Sequence, residues 1–285
     1  MMSQCLSIGT AFHKDLLKDT LGQELKALKN KGLDVRMEET PVGGLTFLAC
    51  CISGGEQVEP VFKHQIAGVI TDLIVSKWQD KLLQDIIRNN YYYFDDEEKS
   101  TIYDYARKKL NHNAKKQEKN RLWILRRLTE YLSFNSDLVI DGFVRFRLKE
   151  YVNDLYDVAD QAVDDFLSER EYNEFIQLLR YFVEIQEPRA DLVNVVLRPD
   201  GVFQLYDEKG GLINSDYLKD FMVDLAESEI NYEDLLISAL ITISPKKITV
   251  HQGNGGFPAG TLETICKVFS GRVDRCPGCT LCRRQ

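Results

Sequence analysis

The sequence predicts an α+β fold, mainly α: a central helical bundle flanked by a small N-terminal β-α-β-β unit and a C-terminal α/β portion. Three observations predict it. Between residues 59 and 187, apolar side chains recur at three- and four-residue spacing and strand-like alternation vanishes. Before that block, short apolar runs bracket one helical pattern. After it, apolar runs alternate with helical segments, the order expected of a layered α/β structure. The divisions fall at 1–55, 56–188 and 189–285, and the two β-containing ends are candidates to share one sheet.

In the first portion, residues 5–8 form a short apolar strand. Residues 11–30 carry Leu16, Leu17, Leu21, Leu25 and Leu28 at helical spacing. Lys31-Gly32 then stops the helix, because glycine accepts the left-handed conformation that comes after a helix end. Residues 33–39 and 45–53 read as strands joined through Thr40, Pro41, Val42, Gly43 and Gly44. The second has apolar residues on both faces, the pattern of a central strand covered on both sides.

The helical block opens with a long helix from Pro60 to about residue 89, its stripe formed by Ile66, Val69, Ile70, Leu73, Ile74, Trp78, Leu82 and Ile86. Asp95 or Asp96 caps the next helix, which ends near Leu110. Helices follow at about 117–133, 136–168 and 170–186, and no strand longer than three residues is expected between 60 and 187. Pro188 ends the block. Residues 192–197 and 202–206 flank Arg198-Pro199-Asp200-Gly201 and read as a hairpin, since proline presets one φ and glycine supplies a positive one. Helices at about 215–227, 232–243 and 258–269 and strands at 248–251 and 272–275 complete the chain.

Composition bounds the function. Of 285 residues, 44% are hydrophobic and 28% charged, which fits a soluble globular protein and excludes a collagen-like or largely disordered chain. The net charge of −8 argues against a nucleic-acid-binding field over the whole molecule. The longest apolar run, residues 235–244, is half the roughly 20 residues a membrane span needs, so no membrane span is expected. The N-terminus lacks a basic segment followed by an apolar one, and the seven cysteines are unevenly spaced. Both point to a reducing, cytoplasmic setting with thiols free or bound to metal.

The sharpest chemical pattern is Cys276-Pro277-Gly278-Cys279-Thr280-Leu281-Cys282. Two successive C-x2-C spacings on a tight loop can aim three thiolates at one centre. Zinc is the first candidate, and it needs a fourth ligand. Cys266, ten residues before Cys276, is the first choice, His251 the second and Cys5 the third. An iron–sulfur loop, a redox dithiol and a reduced tail without metal are the alternatives. The histidines His13, His64, His112 and His251 show no metal-like i, i+4 pairing. The glycine-rich segment 251–260 lacks the residue order of a phosphate loop.

Two further features invite contact readings. Residues 107–127 hold nine Lys or Arg against one acid, whereas residues 150–174 hold nine acids against one base. The basic stretch can meet phosphates, but two opposite-signed helical segments more simply compensate each other. Within residues 141–151, Val144, Leu148, Tyr151 and Leu155 share one stripe, while Phe146, flanked by Arg145 and Arg147, points the other way. Either a second face of that helix is covered, with Arg147 paired to an acid, or Arg145, Phe146 and Arg147 form an interaction surface.

Six segments taken together, FKHQIAGVITDLIV (62–75), ILRRLTEYL (124–132), VIDGFVRFRLKEY (139–151), LLRYFVEIQEPR (178–189), DLLISALITISPKKITVH (234–251) and RVDRCPGCTLC (272–282), carry a resemblance. The chain resembles the YtxC family of sporulation proteins from endospore-forming Firmicutes. That resemblance implies a cytosolic protein connected with sporulation and supplies no catalytic residues. Together with the absence of an assembled active-site motif, it points to a non-enzymatic protein acting through a protein partner. The alternatives are a nucleic-acid-associated factor using residues 107–127 and a metal or redox protein using the C-terminal cysteines.

Overall fold

The structure, a computed structural model, describes residues 3–53, 58–198, 202–213, 232–251 and 257–283. The chain is α+β and mainly α, with two small mixed sheets. It divides into two compact units, Met1–Leu167 and Ser168–Gln285.

The first unit contains β1 (Ser3–Thr10), α1 (Lys14–Asn30), β2 (Asp34–Val42), β3 (Leu45–Ser53), α2 (Val58–Leu73), α3 (Gln79–Asn90), α4 (Asp96–His112), α5 (Ala114–Phe134), β4 (Asp137–Val139), α6 (Ile140–Arg147) and the start of α7 (Lys149–Ile185). Its sheet runs β2-β3-β1-β4, antiparallel except for the parallel β1–β4 pair. Leu17, Leu21, Leu25 and Leu28 of α1 are buried, as the stripe requires. Gly32, at φ 88, ends that helix: its N–H reaches Lys29 O while Leu33 N–H reaches Leu28 O. The hairpin is tighter than its sequence suggests. Val42 pairs with Leu45, and Gly43 at φ 62 makes the turn. Pro41 therefore lies within β2, an edge strand, where a missing N–H is tolerated.

β3 is central, between β2 and β1, but only Leu48, Cys50 and Ile52 are buried. Leu45, Phe47, Ala49 and Cys51 are half-buried, because the core that includes the helices closes over one face alone. On the more open face Cys5 and Cys51, directly opposite in register, form a disulfide. This corrects the expectation that every thiol is free or metal-bound, and it removes Cys5 as a metal ligand: antiparallel pairing places the two sulfurs side by side.

The long helix is interrupted. A five-residue π-turn, Ile74–Trp78, separates α2 from α3, with Gln79 N–H bonded to Ile74 O. The extra residue rotates the helix beyond it, so Leu83, Ile86 and Ile87 are buried and the expected Leu82 is only partly so. Asp95 caps α4 in a reciprocal box with Glu98. Three-residue β4, the one strand described between 60 and 187, pairs parallel with β1 at Ser7↔Asp137, Ile8↔Leu138 and Gly9↔Val139. Two helices expected at 136–168 and 170–186 are instead α6 and α7, divided at Leu148, whose φ −109 and ψ 36 leave the helical region. α7 runs unbroken because no glycine or proline occurs between residues 149 and 185.

The second unit contains the end of α7, β5 (Leu192–Leu197), β6 (Phe203–Tyr206), α8 (Tyr232–Ile243), β7 (Lys247–His251), α9 (Ala259–Val268), β8 (Val273–Arg275) and the short α10 (Thr280–Arg283). Its sheet runs β6-β5-β7-β8; β5–β6 is antiparallel, and β5–β7 and β7–β8 are parallel. Helices between parallel strands return the chain to the same sheet edge, which places all three parallel strand ends together. The two terminal portions thus hold separate sheets; the free side of β1 is taken by β4, and β5 pairs with β7. The expected helix at 215–227 and the residues 199–201 and 252–256 lie outside the described residues. Among the described residues, no helix is long and apolar enough to cross a membrane.

Candidate metal centre

β7 ends in His251, which is 3% exposed. The parallel ladder from β7 to β8 continues one residue past β8, where Cys276 N–H donates to Val250 O at 2.9 Å. That bond sets the cysteine loop beside His251, at the carboxyl ends of the strands. Gly278, at φ 121, then turns the chain so that Cys279, just before α10, and Cys282, within it, come to the same point.

Four ligand atoms converge there. The Sγ atoms of Cys276 and Cys282 are 3.8 Å apart, and those of Cys279 and Cys282 are 3.9 Å apart. His251 Nδ1 lies 3.3 Å from Cys279 Sγ and 3.5 Å from Cys282 Sγ. All four lie within 4.8 Å of one another. For a tetrahedral zinc with bonds of about 2.3 Å to sulfur and about 2.0 Å to nitrogen, the edges are about 3.8 Å between sulfurs and about 3.5 Å from sulfur to nitrogen. The observed spacings match a single ion. They are short for an iron–sulfur cluster, in which the four ligands are divided among two or four irons and the cluster holds them apart.

Local forces favour the ligand-competent form at His251 and Cys279 but not at Cys276. Burial pushes the His251 imidazole below its usual pKa, toward the neutral form a metal requires. At Cys279 partial burial pushes the thiol up, but the backbone N–H groups of Cys282 and Leu281 and the neighbouring sulfurs outweigh it and hold the thiol below its usual value. At Cys276 the Gly278 N–H favours the thiolate, yet burial and the adjacent Cys279 and Cys282 thiols carry it upward.

Cys266, the first choice for the fourth ligand, stands outside this group and is exposed. Its helix buries Thr261, Leu262, Ile265 and Val268, and one residue past Ile265 the helical rotation turns Cys266 outward. The fourth ligand atom near the three sulfurs belongs instead to His251, the second choice. Sequence reasoning missed Asn194 altogether. Its Oδ1 lies 3.0 Å from His251 Nε2. The signal was an asparagine inside the apolar run of β5, Leu192–Leu197, where a polar side chain needs a partner.

A family model described as the YtxC-like family matches residues 64–274. The chain belongs to the YtxC-like family. It is 30% identical over 146 residues to a Bacillus subtilis (strain 168) protein described as "Uncharacterized protein YtxC". That alignment covers 48% of each chain, so the match spans about half the length of this curated relative. No solved structure matches.

The YtxC-like match takes in His251 and Asn194 and ends two residues before Cys276. It also takes in α6, where Arg145, Phe146 and Arg147 are all exposed. Phe146 is 67% exposed, with the Arg145 guanidinium 5.7 Å from its ring. Arg147 lies over Tyr131, 4.8 Å from the ring centroid, rather than beneath a second covering helix. Val144 on α6, Leu148 at its end, and Tyr151 and Leu155 on α7 are buried, so the stripe expected of one helix is divided between two. The basic stretch lies on α4 and α5 and faces acids: Lys109 bonds Asp165 and Lys116 bonds Asp154, both on α7, while Arg121 bonds Asp72 on α2.

Proposed function

We propose that this YtxC-like protein is a zinc-binding, non-catalytic factor of endospore formation that acts through protein contacts. The observation that carries the zinc reading is the convergence of His251, Cys276, Cys279 and Cys282 within 4.8 Å. A Cys3His set fills a tetrahedron and leaves no position for a substrate, so the ion serves structure. It ties the loop after β8 to the end of β7. The sporulation setting is supported by the family resemblance, and the contact reading by the exposed Arg145-Phe146-Arg147 face of α6. The nucleic-acid alternative is less well supported, because Lys109, Lys116 and Arg121 already engage carboxylates.

Elemental analysis of untagged protein purified without chelator tests the zinc reading. About one equivalent of zinc is expected, bound to three thiolates and one imidazole. Less than about a tenth of an equivalent, with Cys276, Cys279 and Cys282 reacting freely with a thiol reagent, defeats it. For the contact reading, crosslinking in sporulating cells should capture a protein with the wild type and lose it with Phe146→Ala. Capture unchanged by that substitution defeats the α6 surface.

A further inference from the structure

We infer that Asn194 is the positioning residue of the metal centre, fixing the His251 ring so that Nδ1 and not Nε2 is the ligand. The inference rests on the zinc reading above and deepens it. It comes from a chain of hydrogen bonds in which each group has one available role.

The chain begins at a turn. Asp207 is held by its own loop: Gly210 N–H donates to its carbonyl at 3.1 Å, its N–H reaches Gly211 O at 2.8 Å, and its Oδ1 accepts from Lys209 N–H and Gly211 N–H at 2.9 and 2.7 Å. The Asp207 carbonyl can only accept. Asn194 lies 3.1 Å from it through Nδ2, which must therefore donate. A flipped amide would set two oxygens against each other, so the carbonyl decides which way Asn194 points.

With Nδ2 committed, Oδ1 faces His251 Nε2 at 3.0 Å. Oδ1 too can only accept, so Nε2 must carry the ring proton. In a neutral imidazole the other nitrogen is then the bare one. That nitrogen, Nδ1, is the atom 3.3 and 3.5 Å from the Cys279 and Cys282 sulfurs. The same bond opposes a half-turn of the ring, which would carry Nδ1 away from the sulfurs. Placement on two adjacent strands makes the arrangement rigid: Asn194 pairs with Thr249 and Val196 with His251 across β5 and β7. Asn194 is 9% exposed, so little water competes for its amide. Outer partners of this kind orient metal-bound histidines, and their loss typically lowers metal affinity by about 10- to 100-fold.

The test uses the full-length protein with histidine labelled by ¹⁵N and the site loaded with ¹¹³Cd, a thiolate-binding ion that can be observed by NMR. Wild type should show cadmium–nitrogen coupling to His251 Nδ1; coupling to Nε2 overturns the inference without any variant. Asn194→Leu, which fills the space but accepts no hydrogen bond, should bind zinc about 10- to 100-fold more weakly and lose or redistribute that coupling. Asn194→Asp, which keeps an acceptor toward Nε2 but sets its second oxygen against the Asp207 carbonyl, should keep Nδ1 coupling and bind zinc more tightly than Asn194→Leu. Equal zinc affinity and unchanged Nδ1 coupling in Asn194→Leu overturn the inference while the zinc reading stands. Failure of wild type to take up zinc or cadmium overturns the zinc reading, and the inference with it.

Discussion

Asp141 shows how one side chain can organise distant parts of the chain. Its Oδ2 accepts from Ala11 N–H at 2.7 Å and from Thr10 Oγ1 at 3.3 Å, and its Oδ1 accepts from Trp78 Nε1 at 2.9 Å. It thus joins the end of β1, the π-turn and α6. Trp78 is 3% exposed, so its indole N–H has little access to water if the carboxylate is removed. Asp141→Ala should destabilise the first unit by about 2–3 kcal/mol, since a buried donor is left unmade along with two further bonds. Urea unfolding followed by tryptophan emission measures it; a loss below about 0.5 kcal/mol would show that these bonds exchange with water at little cost. A second point of close fit is Gly9, opposite Phe47 in the sheet. A Cβ there would meet Phe47 Cε1 at 2.6 Å. Gly9→Ala should cost about 1–3 kcal/mol by overpacking, and Phe47→Ala in the same chain should recover part of it. Neither role was legible in the sequence. Asp141 begins a notable motif, but its partners are 63 to 131 residues away, and no local period records such distances.

At the level of elements, local chemistry was a reliable guide where it acted alone. The helix at 232–243, the strand ending at His251 and the stop at Lys31-Gly32 all follow from stripe, alternation and glycine. It misled where tertiary contact decided. β4 is three residues of Asp137–Val139 that become a strand only because β1 offers an edge. The π-turn keeps a continuous helical pattern while shifting its phase, so residue spacing before and after it looks unbroken. Deleting Ser76, an exposed residue of that turn, should restore α-helical phase and rotate Leu83, Ile86 and Ile87 away from the core. Stability should fall by several times the effect of Ser76→Ala; equal effects would mean the turn is incidental. The charged helices behave otherwise. Lys116 and Asp154 have side chains 44% and 33% exposed, so their pair is worth at most about 1 kcal/mol. Reversing Lys115, Lys116 and Lys119 to Glu should therefore lower the urea midpoint only slightly. If the same change instead abolished nucleic-acid binding at physiological salt, the compensation reading of α4, α5 and α7 would be wrong.

Among the described residues the buried apolar side chains fall into two clusters, and each unit holds one cysteine feature. Cys5–Cys51 closes a 46-residue separation in the first unit, and the Cys3His group lies in the second. Three of the four residues of the candidate centre were visible as C-x2-C-x2-C. The fourth, His251, ranked only second from the sequence, because it is 25 residues upstream of Cys276 and comes beside it only through β7–β8 pairing. This division gives a test with internal controls. Both tryptophans, Trp78 and Trp123, belong to the first unit, so their emission reports that unit alone, whereas far-UV circular dichroism reports both. Reduction of Cys5–Cys51 should lower the transition seen by tryptophan emission by about 2–4 kcal/mol, the usual worth of a cross-link over such a loop. It should leave zinc content and the remaining dichroic transition unchanged if the reductant is a phosphine that does not compete for metal. A strong chelator should do the reverse: part of the dichroic signal melts earlier while tryptophan emission holds its midpoint, because a ligand bound only by the folded second unit stabilises that unit. One coincident transition that moves equally under both treatments would mean that the long helix α7, which enters both units, couples their unfolding into a single event.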